Sequence, residues 1–461
     1  MIAGLKPYRE YKDSNLLWLG QVPQHWGLTP NRSLIKRRKV LVGARHPHYR
    51  LLSLTKAGVI VRDIASGKGK WSSDMGTSQE VRRGDLVFCL FDVPETPRTV
   101  GLSPFDGMIT GAYTVFENRN PAGADYLERF YRAIDDRKLL SPLYSGLRNT
   151  IPPERFLGTK TPQPPADEQA AIVRFLDWSN VRLERAIRAK RKVIALLTEQ
   201  KQAIIHRAVT RGLDSSVPLK ASGIPWLGEI PRHWEVLRIK YLLREVDERS
   251  MTGSEPLLSM RMHHGLVPFA EHFTRPPQAA TLVGFKLVHP GRFVVNRMQA
   301  GNGVIFASKL TGLVSPDYAV FEPIRNANVE FLGELFRSRT ARAKFRSESK
   351  GLGTGTSGFL RLYNDRLGGI HVALPPPPEQ CDIVRRLAGE LSGVNTAVTR
   401  LEREIDLLCE YRARLVSDVV TGKLDVREAA ARLPEETAPD ILDEPTDVSD
   451  EAEPGDEEAV V

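Results

Sequence analysis

The chain repeats itself, and that duplication limits its possible folds more than any local pattern. Residues 18–26 read W-L-G-Q-V-P-Q-H-W and residues 226–234 read W-L-G-E-I-P-R-H-W, an offset of 208 with six of nine positions identical. Lys12 and Ser14 precede the first copy as Lys220 and Ser222 precede the second. Leu51-Leu52-Ser53 is answered by Leu257-Leu258-Ser259, Gly84 by Gly291, and Tyr113-Thr-Val-Phe-Glu117 by Tyr318-Ala-Val-Phe-Glu322. Gly146-Leu147 returns as Gly351-Leu352, and Pro164-Pro165-Ala-Asp-Glu168-Gln169 as Pro375-Pro376-Pro-Pro-Glu379-Gln380. Each copy closes alike, on Val209-Thr210-Arg-Gly-Leu-Asp214 and Val420-Thr421-Gly-Lys-Leu-Asp425. The offset drifts from 208 to 205 and then to 211, which places small loop insertions inside a shared architecture. A period this long, present twice, is not a solenoid. It predicts two equivalent modules with a pseudo-two-fold relation.

Within each copy, short apolar runs punctuated by Gly and Pro read as strands: L-L-S-L-T, G-V-I-V, D-L-V-F-C-L-F and Y-T-V-F. D-Y-L-E-R-F-Y-R-A-I and V-E-F-L-G-E-L-F-R-S read as helices. After each proline run the pattern turns helical, with Pro suited to a helix start and Asp167 and Glu168 to a first turn. Ile172, Leu176, Leu183, Ile187, Ile194, Leu197, Ile204 and Ala208 form an apolar seam. Shifted by 211 they become Ile383, Leu387, Val394, Val398, Ile405, Leu408, Leu415 and Val419, all still apolar. Steps of three, four and seven are coiled-coil spacing. A helix from Glu168 to Thr210 would span about 65 Å and cannot bury such a stripe alone. Two copies related by a pseudo-dyad would pair antiparallel and act as a spacer; the alternative packs each helix on its own domain. Lys190 interrupts the first seam where Leu401 continues the second, a polar position able to set register.

The fold class expected is therefore α/β (α+β), two tandem pseudo-symmetric domains separated by two long helices that pair as an antiparallel coiled coil. The boundaries are 1–165 for the first domain, 166–213 for the first helix, 214–377 for the second domain, 378–430 for the second helix and 431–461 for a tail.

Charge suggests the partner. The net charge is +9, but from Pro434 to Val461 there are twelve acidic residues and no Lys or Arg. The first 433 residues hold 65 basic against 44 acidic side chains, a net +21 suited to a polyanion such as nucleic acid. The tail's composition predicts disorder. Cys89, Cys381 and Cys409 show no C-x-x-C spacing, so neither a disulfide framework nor a zinc or redox site is expected. The opening residues lack an apolar signal core, and no run of 18 apolar residues occurs, which points to the cytoplasm and no membrane.

Two similar but non-identical basic modules on a spacer could read two short sequences at fixed separation on double-stranded DNA, with phosphate contacts from Lys and Arg and base readout in the groove. The chain resembles the specificity subunit of type I restriction–modification systems. The W-L-G-x-[VI]-P-x-H-W motifs, the P-P-x-x-E-Q helix openings and the Val-Thr-x-x-Leu-Asp closures carry that likeness across about residues 8–430. The resemblance implies two target-recognition domains, an antiparallel coiled coil and a bipartite asymmetric DNA target. It also implies assembly with two modification (adenine methyltransferase) subunits and restriction motor subunits, this chain performing no catalysis. S-adenosylmethionine, ATP and Mg2+ would belong to those partner subunits. One departure is that the Gly84-Asp85 turn becomes Gly291-Arg292.

Candidate DNA contacts in the first domain are Lys36, Arg37, Arg38, Lys39 and Arg45, interleaved with His46, His48 and Tyr49, together with Arg148 and Asn149. In the second they are Arg261, His263, His264, Arg297, Gln299, Asn302, Lys350 and Thr354. Lys190, Arg191 and Lys192 could touch the backbone between half-sites or form a solvent face. His25 and His233 read as packed structural residues rather than ligands. The tryptophans anchor a surface common to both repeats, for subunit docking or for domain packing; the sequence leaves both open. Gly351-Leu-Gly353-Thr-Gly355-Thr-Ser-Gly358 imitates a dinucleotide fingerprint, but no strand precedes it and no βαβ unit follows, so a loop approaching phosphate fits better. A self-contained metal-dependent nuclease would use Asp317, Glu348 and Lys350, a P-D…E-x-K constellation that the first repeat lacks, since Ala112 stands at the Asp317 position. The remaining alternative is a non-specific DNA-binding coiled-coil scaffold. No methylation motif of the N-P-P-[YF] type and no G-x-x-x-x-G-K-[ST] loop occurs.

Overall fold

A computed structural model of the chain describes residues 5–62, 75–262, 264–273, 276–277, 279–352 and 359–434. Over these it divides into two compact units, one ending at Lys190 and resuming at Glu402, the other running from Arg191 to Leu401. The division crosses the repeats: each unit holds one repeat's strands, the second half of the long helix preceding that repeat or closing the chain, and the first half of the helix that follows.

The first unit is built on a four-stranded antiparallel sheet of β1 (Ile35–Arg38), β2 (Leu86–Phe88), β3 (Val100–Leu102) and β4 (Thr114–Asn118), in the order β1-β4-β2-β3. The run Leu86-Val87-Phe88 is buried on both faces, as a central strand requires. Helix α1 (Ala124–Asp136) lays Tyr126, Leu127, Phe130, Tyr131 and Ile134 into the core, where Phe88, Tyr131 and Phe156 rings meet at 4.8–5.3 Å. The second unit repeats the plan with β5 (Leu243–Val246), β6 (Phe293–Val295), β7 (Ile305–Ala307) and β8 (Ala319–Pro323), in the order β5-β8-β6-β7. Helix α2 (Val329–Arg337) covers it with Phe331, Leu332, Leu335 and Phe336, and the Asn328 side chain caps its start by accepting from Phe331 N at 2.8 Å.

Smaller strand pairs also recur. Leu52–Thr55 with Gly58–Val61 is matched by Leu258–Arg261 with Gly265–Pro268. Gln79–Val81 with Gly107–Ile109 is matched by Lys286–Val288 with Gly312–Val314. Gly107 and Gly312 are small for one shared reason. A Cβ on Gly107 would sit 2.5 Å from Arg50 O, and one on Gly312 2.5 Å from Pro256 O, so only glycine lets the two backbones approach.

The first long helix is Ala166–Arg211 and the second Pro377–Val420, against the 168–210 span read from periodicity for the first. In the first unit they run antiparallel: Lys190 Nζ donates to Glu404 Oε2 at 2.6 Å, and Glu184 lies 3.5 Å from Arg412 further along. In the second unit Lys201 Nζ donates to Asn395 Oδ1 at 2.7 Å. Of the seam residues, Ile172, Leu176, Ile187, Ile383, Leu387 and Leu415 are buried, as are Ala208 and Val419. Leu183, Ile194, Leu197, Ile204, Val394, Val398, Ile405 and Leu408 are half-buried, and next to them Ile205 and Leu391 are buried. Burial is greatest at the helix ends because those ends join the domain cores: Ile172, Phe175 and Leu176 pack with Leu415, Val419 and Trp26 in one unit, and Ile205, Ala208 and Val209 with Ile383, Leu387 and Trp234 in the other. Among the described residues, no helix is long and apolar enough to cross a membrane.

Candidate nucleic-acid interface

The repeated motifs meet at one junction in each unit, and these junctions fix the surfaces on which the cations stand. In the first unit Trp26 Nε1 donates to Glu168 Oε1 at 2.9 Å, Tyr8 Oη donates to the same oxygen at 2.6 Å, and His25 Nε2 lies 2.7 Å from Glu168 Oε2. In the second unit Trp234 Nε1 reaches Glu379 Oε1 at 3.1 Å and His233 Nε2 lies 2.7 Å from Glu379 Oε2. A buried carboxylate is tolerated only when donors surround it, and each Trp-His pair supplies two. The neighbouring glutamine ties each helix start to its proline run: Gln169 Nε2 donates to Pro164 O and Gln380 Nε2 to Pro375 O, both at 2.8 Å.

The helix that ends in each unit completes the junction. Gly422 (φ +78°) closes the second long helix against Trp26, and Gly212 (φ +74°) closes the first against Trp234. Trp26 and Trp234 are fully buried, so these two serve domain packing, one of the two roles the sequence left open. His25 and His233 are hydrogen-bonded structural residues. Tyr8 escaped sequence reading because the second repeat has no counterpart to it in the motif. Its phenol is pushed far up by burial and by the Glu168 carboxylate.

Around this repeated frame the charged surface differs between units. β1 is an edge strand, and Lys36 and Lys39 stand exposed on and just beyond it. Arg38 faces inward, its Nε 2.8 Å and its Nη2 3.2 Å from the Asp85 carboxylate, with Glu117 at 3.5 Å. This guanidinium is engaged in the sheet rather than displayed for a base. Asp85 hydrogen bonds and charge raise the Arg38 pKa. Arg37 is half-buried, with its Nε lacking a partner. Arg45 is exposed, 5.9 Å over the Tyr49 ring, and Tyr49 Oη donates to Glu80 at 3.1 Å. Arg148 sits on an exposed turn closed by the Ser145–Thr150 bridge, held by Asp92 at 2.5 Å and stacked 5.7 Å from the Phe91 ring. Asn149 on the same turn has φ +43°.

The β4 and β8 registers place Arg244, Glu245 and Val246 where the first unit has Lys36, Arg37 and Arg38. The Asp85-to-Arg292 departure is accounted for by the same change. With Val246 in place of Arg38, Arg292 finds Glu248 at 2.7 Å, an ion pair of reversed polarity. The cations of the second unit gather elsewhere. Arg297 Nε donates to Asp317 O at 2.8 Å, and its pKa is lowered by burial and by the nearby Arg361 charge. Arg361 Nη2 is 3.8 Å from Asp317 Oδ1, and Arg361 pairs in register with exposed Lys350 across the Lys350–Leu352 and Phe359–Arg361 strands. Arg297 and Arg361 thus both meet Asp317, one at its backbone carbonyl and the other at its carboxylate. Sequence reading missed Arg361, whose signal was its distance across the glycine-rich loop from Lys350.

Arg261 lies 5.1 Å over the Phe273 ring, and exposed His264 is 6.0 Å from the His272 ring. Gln299 is half-buried, and Asn302 Oδ1 accepts from Arg346 Nη2 at 2.6 Å. His263 and Thr354, the glycine-rich residues 353–358 and the acidic tail from 435 onward lie outside the described residues. Of the nuclease set, Glu348 is held by Lys344 at 2.5 Å and Arg366 at 3.6 Å, and the Lys344 hydrogen bond lowers its pKa. Asp317 faces Arg361. Among the described residues, no group of three or more His, Cys, Asp or Glu side chains could hold a metal ion.

No protein-family model matches the chain, and no curated protein sequence does. Among solved structures, a chain from a type I R-M system, studied for its complex assembly and conformational transition, aligns at a TM-score of 0.59 and 15% identity, over 87% of this chain and 99% of that one. The HsdS subunit from Thermoanaerobacter tengcongensis aligns over 87% of this chain and 96% of its own, at 16% identity and a TM-score of 0.41. The type I restriction-modification system S subunit from M. genitalium aligns over 86% and 96%, at 12% identity and a TM-score of 0.32. The duplicated α/β plan with its two long helices is therefore the fold of a type I R-M system chain.

Proposed function

We propose that this chain is the DNA sequence-recognition subunit of a type I restriction–modification complex. Each domain reads one half of a bipartite target in double-stranded DNA, and the chain directs partner subunits to methylate adenine or cleave DNA while performing no chemistry itself. Two methyltransferase subunits and restriction motor subunits are the protein partners, and S-adenosylmethionine, ATP and Mg2+ act in them. The domains are those bounded by residues 1–165 and 214–377, with arms at 166–213 and 378–430.

The observation that carries this reading is a combination: identical sheet order and identical Trp–His–Glu junctions in both units, with different cations on top. A scaffold that bound any duplex would gain nothing from two different surfaces. Two readers of different half-sites need them.

The test is co-expression with the neighbouring methyltransferase subunit, followed by sequencing of modified adenines. One bipartite motif with a fixed gap is the expected result. Methylation without sequence preference would sink the reading in favour of a scaffold. Cleavage by the purified chain with magnesium alone, abolished by Asp317→Ala, would do so in favour of a nuclease.

A further inference from the structure

Four equivalent positions carry no charge in the first unit and are all charged in the second. Leu90 and Arg297 each lie two residues beyond a central strand, and their carbonyls accept from Ile151 N and Leu362 N, both at 2.8 Å. Ala112 and Asp317 each lie two residues before a matched strand position, Thr114 opposite Phe88 and Ala319 opposite Val295. Ser145 bridges Thr150 where Lys350 pairs with Arg361. Leu90, Ala112, Ser145 and Thr150 thus give way to Arg297, Asp317, Lys350 and Arg361.

At the edge strand a cation and an anion exchange places, from Arg38–Asp85 to Glu248–Arg292. Here three cations arrive with one anion, and that anion satisfies neither arginine. Arg297 Nε donates to the Asp317 backbone carbonyl, and Arg361 Nη2 stops 3.8 Å from Asp317 Oδ1, beyond hydrogen-bond reach. Arg361 Nε is buried without an acceptor. Among the described residues, neither guanidinium hydrogen-bonds a carboxylate. Burial and the neighbouring Arg361 charge also disfavour the charged form of Arg297. Two adjacent guanidiniums without a charge-assisted bond repel each other, and an anion with several acceptor oxygens relieves that repulsion. Asp317 can give way to one, since its side chain is 67% exposed. The first unit has no such site, because Leu90 is packed into its apolar core.

We propose that Arg297, Lys350 and Arg361 bind a DNA backbone phosphate in the second unit alone, and that Asp317 is the built-in anion this phosphate displaces. The proposal rests on the DNA-recognition reading and adds an inequality to it. One half of the target is held by a phosphate clamp that the other half lacks, and Asp317 weakens that clamp at every sequence.

Binding of the full chain to fluorescein-labelled duplexes of several unrelated sequences, followed by anisotropy across a salt series, tests it. Arg297→Gln and Arg361→Gln should each lower affinity about tenfold on every duplex and reduce the salt slope by about one. Asp317→Asn should raise affinity about threefold, and should do nothing once both arginines are glutamine. Lys350→Gln removes an exposed cation and should act in the same direction as the arginine variants. It carries the test where circular dichroism shows that an arginine variant has not folded. Unchanged affinity and slope in the folded variants would overturn the proposal. So would weaker binding by Asp317→Asn, or a loss confined to one sequence, which would mark a base contact in place of a phosphate one. No duplex binding by the unaltered chain overturns it as well. The expected effects in a chain that directs no bipartite methylation would uphold the site and refute only the sequence-recognition reading.

Discussion

The two units share a frame and differ in what stands on it. Both order their sheets alike, and both bind the helix-opening glutamate with a Trp-His pair. Yet the edge strand reads Ile-Lys-Arg-Arg in the first unit and Leu-Arg-Glu-Val in the second, and the ion pair beneath it changes polarity from Arg38–Asp85 to Glu248–Arg292. Residues that make the junction are constrained from several directions at once. Surface charges need only a local counter-charge, so they drift freely or are chosen for a ligand.

The strongest way to break the comparison is at the junction glutamates. Glu168 is 2% exposed and meets three donors, whereas the Glu379 side chain is 28% exposed and meets two. Glu168→Ala should therefore cost about 4 kcal/mol and Glu379→Ala about 2 kcal/mol, read by urea unfolding; equal losses would show that the junctions are energetically equivalent. Gly107→Ala and Gly312→Ala should cost the same in each unit, about 2–3 kcal/mol, because the added carbon meets a carbonyl oxygen at the same 2.5 Å. A large difference between them would mean that one strand pair can yield.

The surface difference is sharpened by Lys36→Ala with Lys39→Ala. If these two exposed cations contact phosphate as proposed, their loss should weaken DNA binding roughly tenfold and flatten the salt dependence by about two units of slope, measured by fluorescence anisotropy. Unchanged binding would mean that these lysines only guard a sheet edge. The smallest effect is at the seam. Lys190→Leu with Glu404→Leu should change stability by less than about 1 kcal/mol, since both partners of the half-exposed pair are replaced together. Lys190→Leu alone should be the less stable variant.

Much of this frame was legible in the chain. Periodicity over more than forty residues leaves little choice but a long helix, and L-L-S-L-T, G-V-I-V and Y-T-V-F each fall on a strand. The Trp–Glu contact was not legible, because 142 residues separate the partners and no local spacing records a hydrogen bond over that distance. Only the recurrence of both motifs in both copies hinted at it. Arg38 could not be told from its neighbours by sequence, since burial of one guanidinium in a basic run depends on strand direction and on Asp85 opposite. The joint change of Arg38 to Val246 and Asp85 to Arg292 was the trace that this pair left in the other repeat.

The discontinuity of the first unit has a consequence for how the chain is made. Among the described residues the second unit lies on one unbroken stretch from Arg191 to Leu401 and can close as soon as that stretch has left the ribosome. The first must wait: Tyr126 bonds to Val420, 294 residues later, and Tyr11 to Lys423, 412 residues later. Until the last helix emerges, Trp26 and the start of the first long helix lack their cover. The half synthesised first is therefore the half completed last, with apolar surface exposed for most of translation.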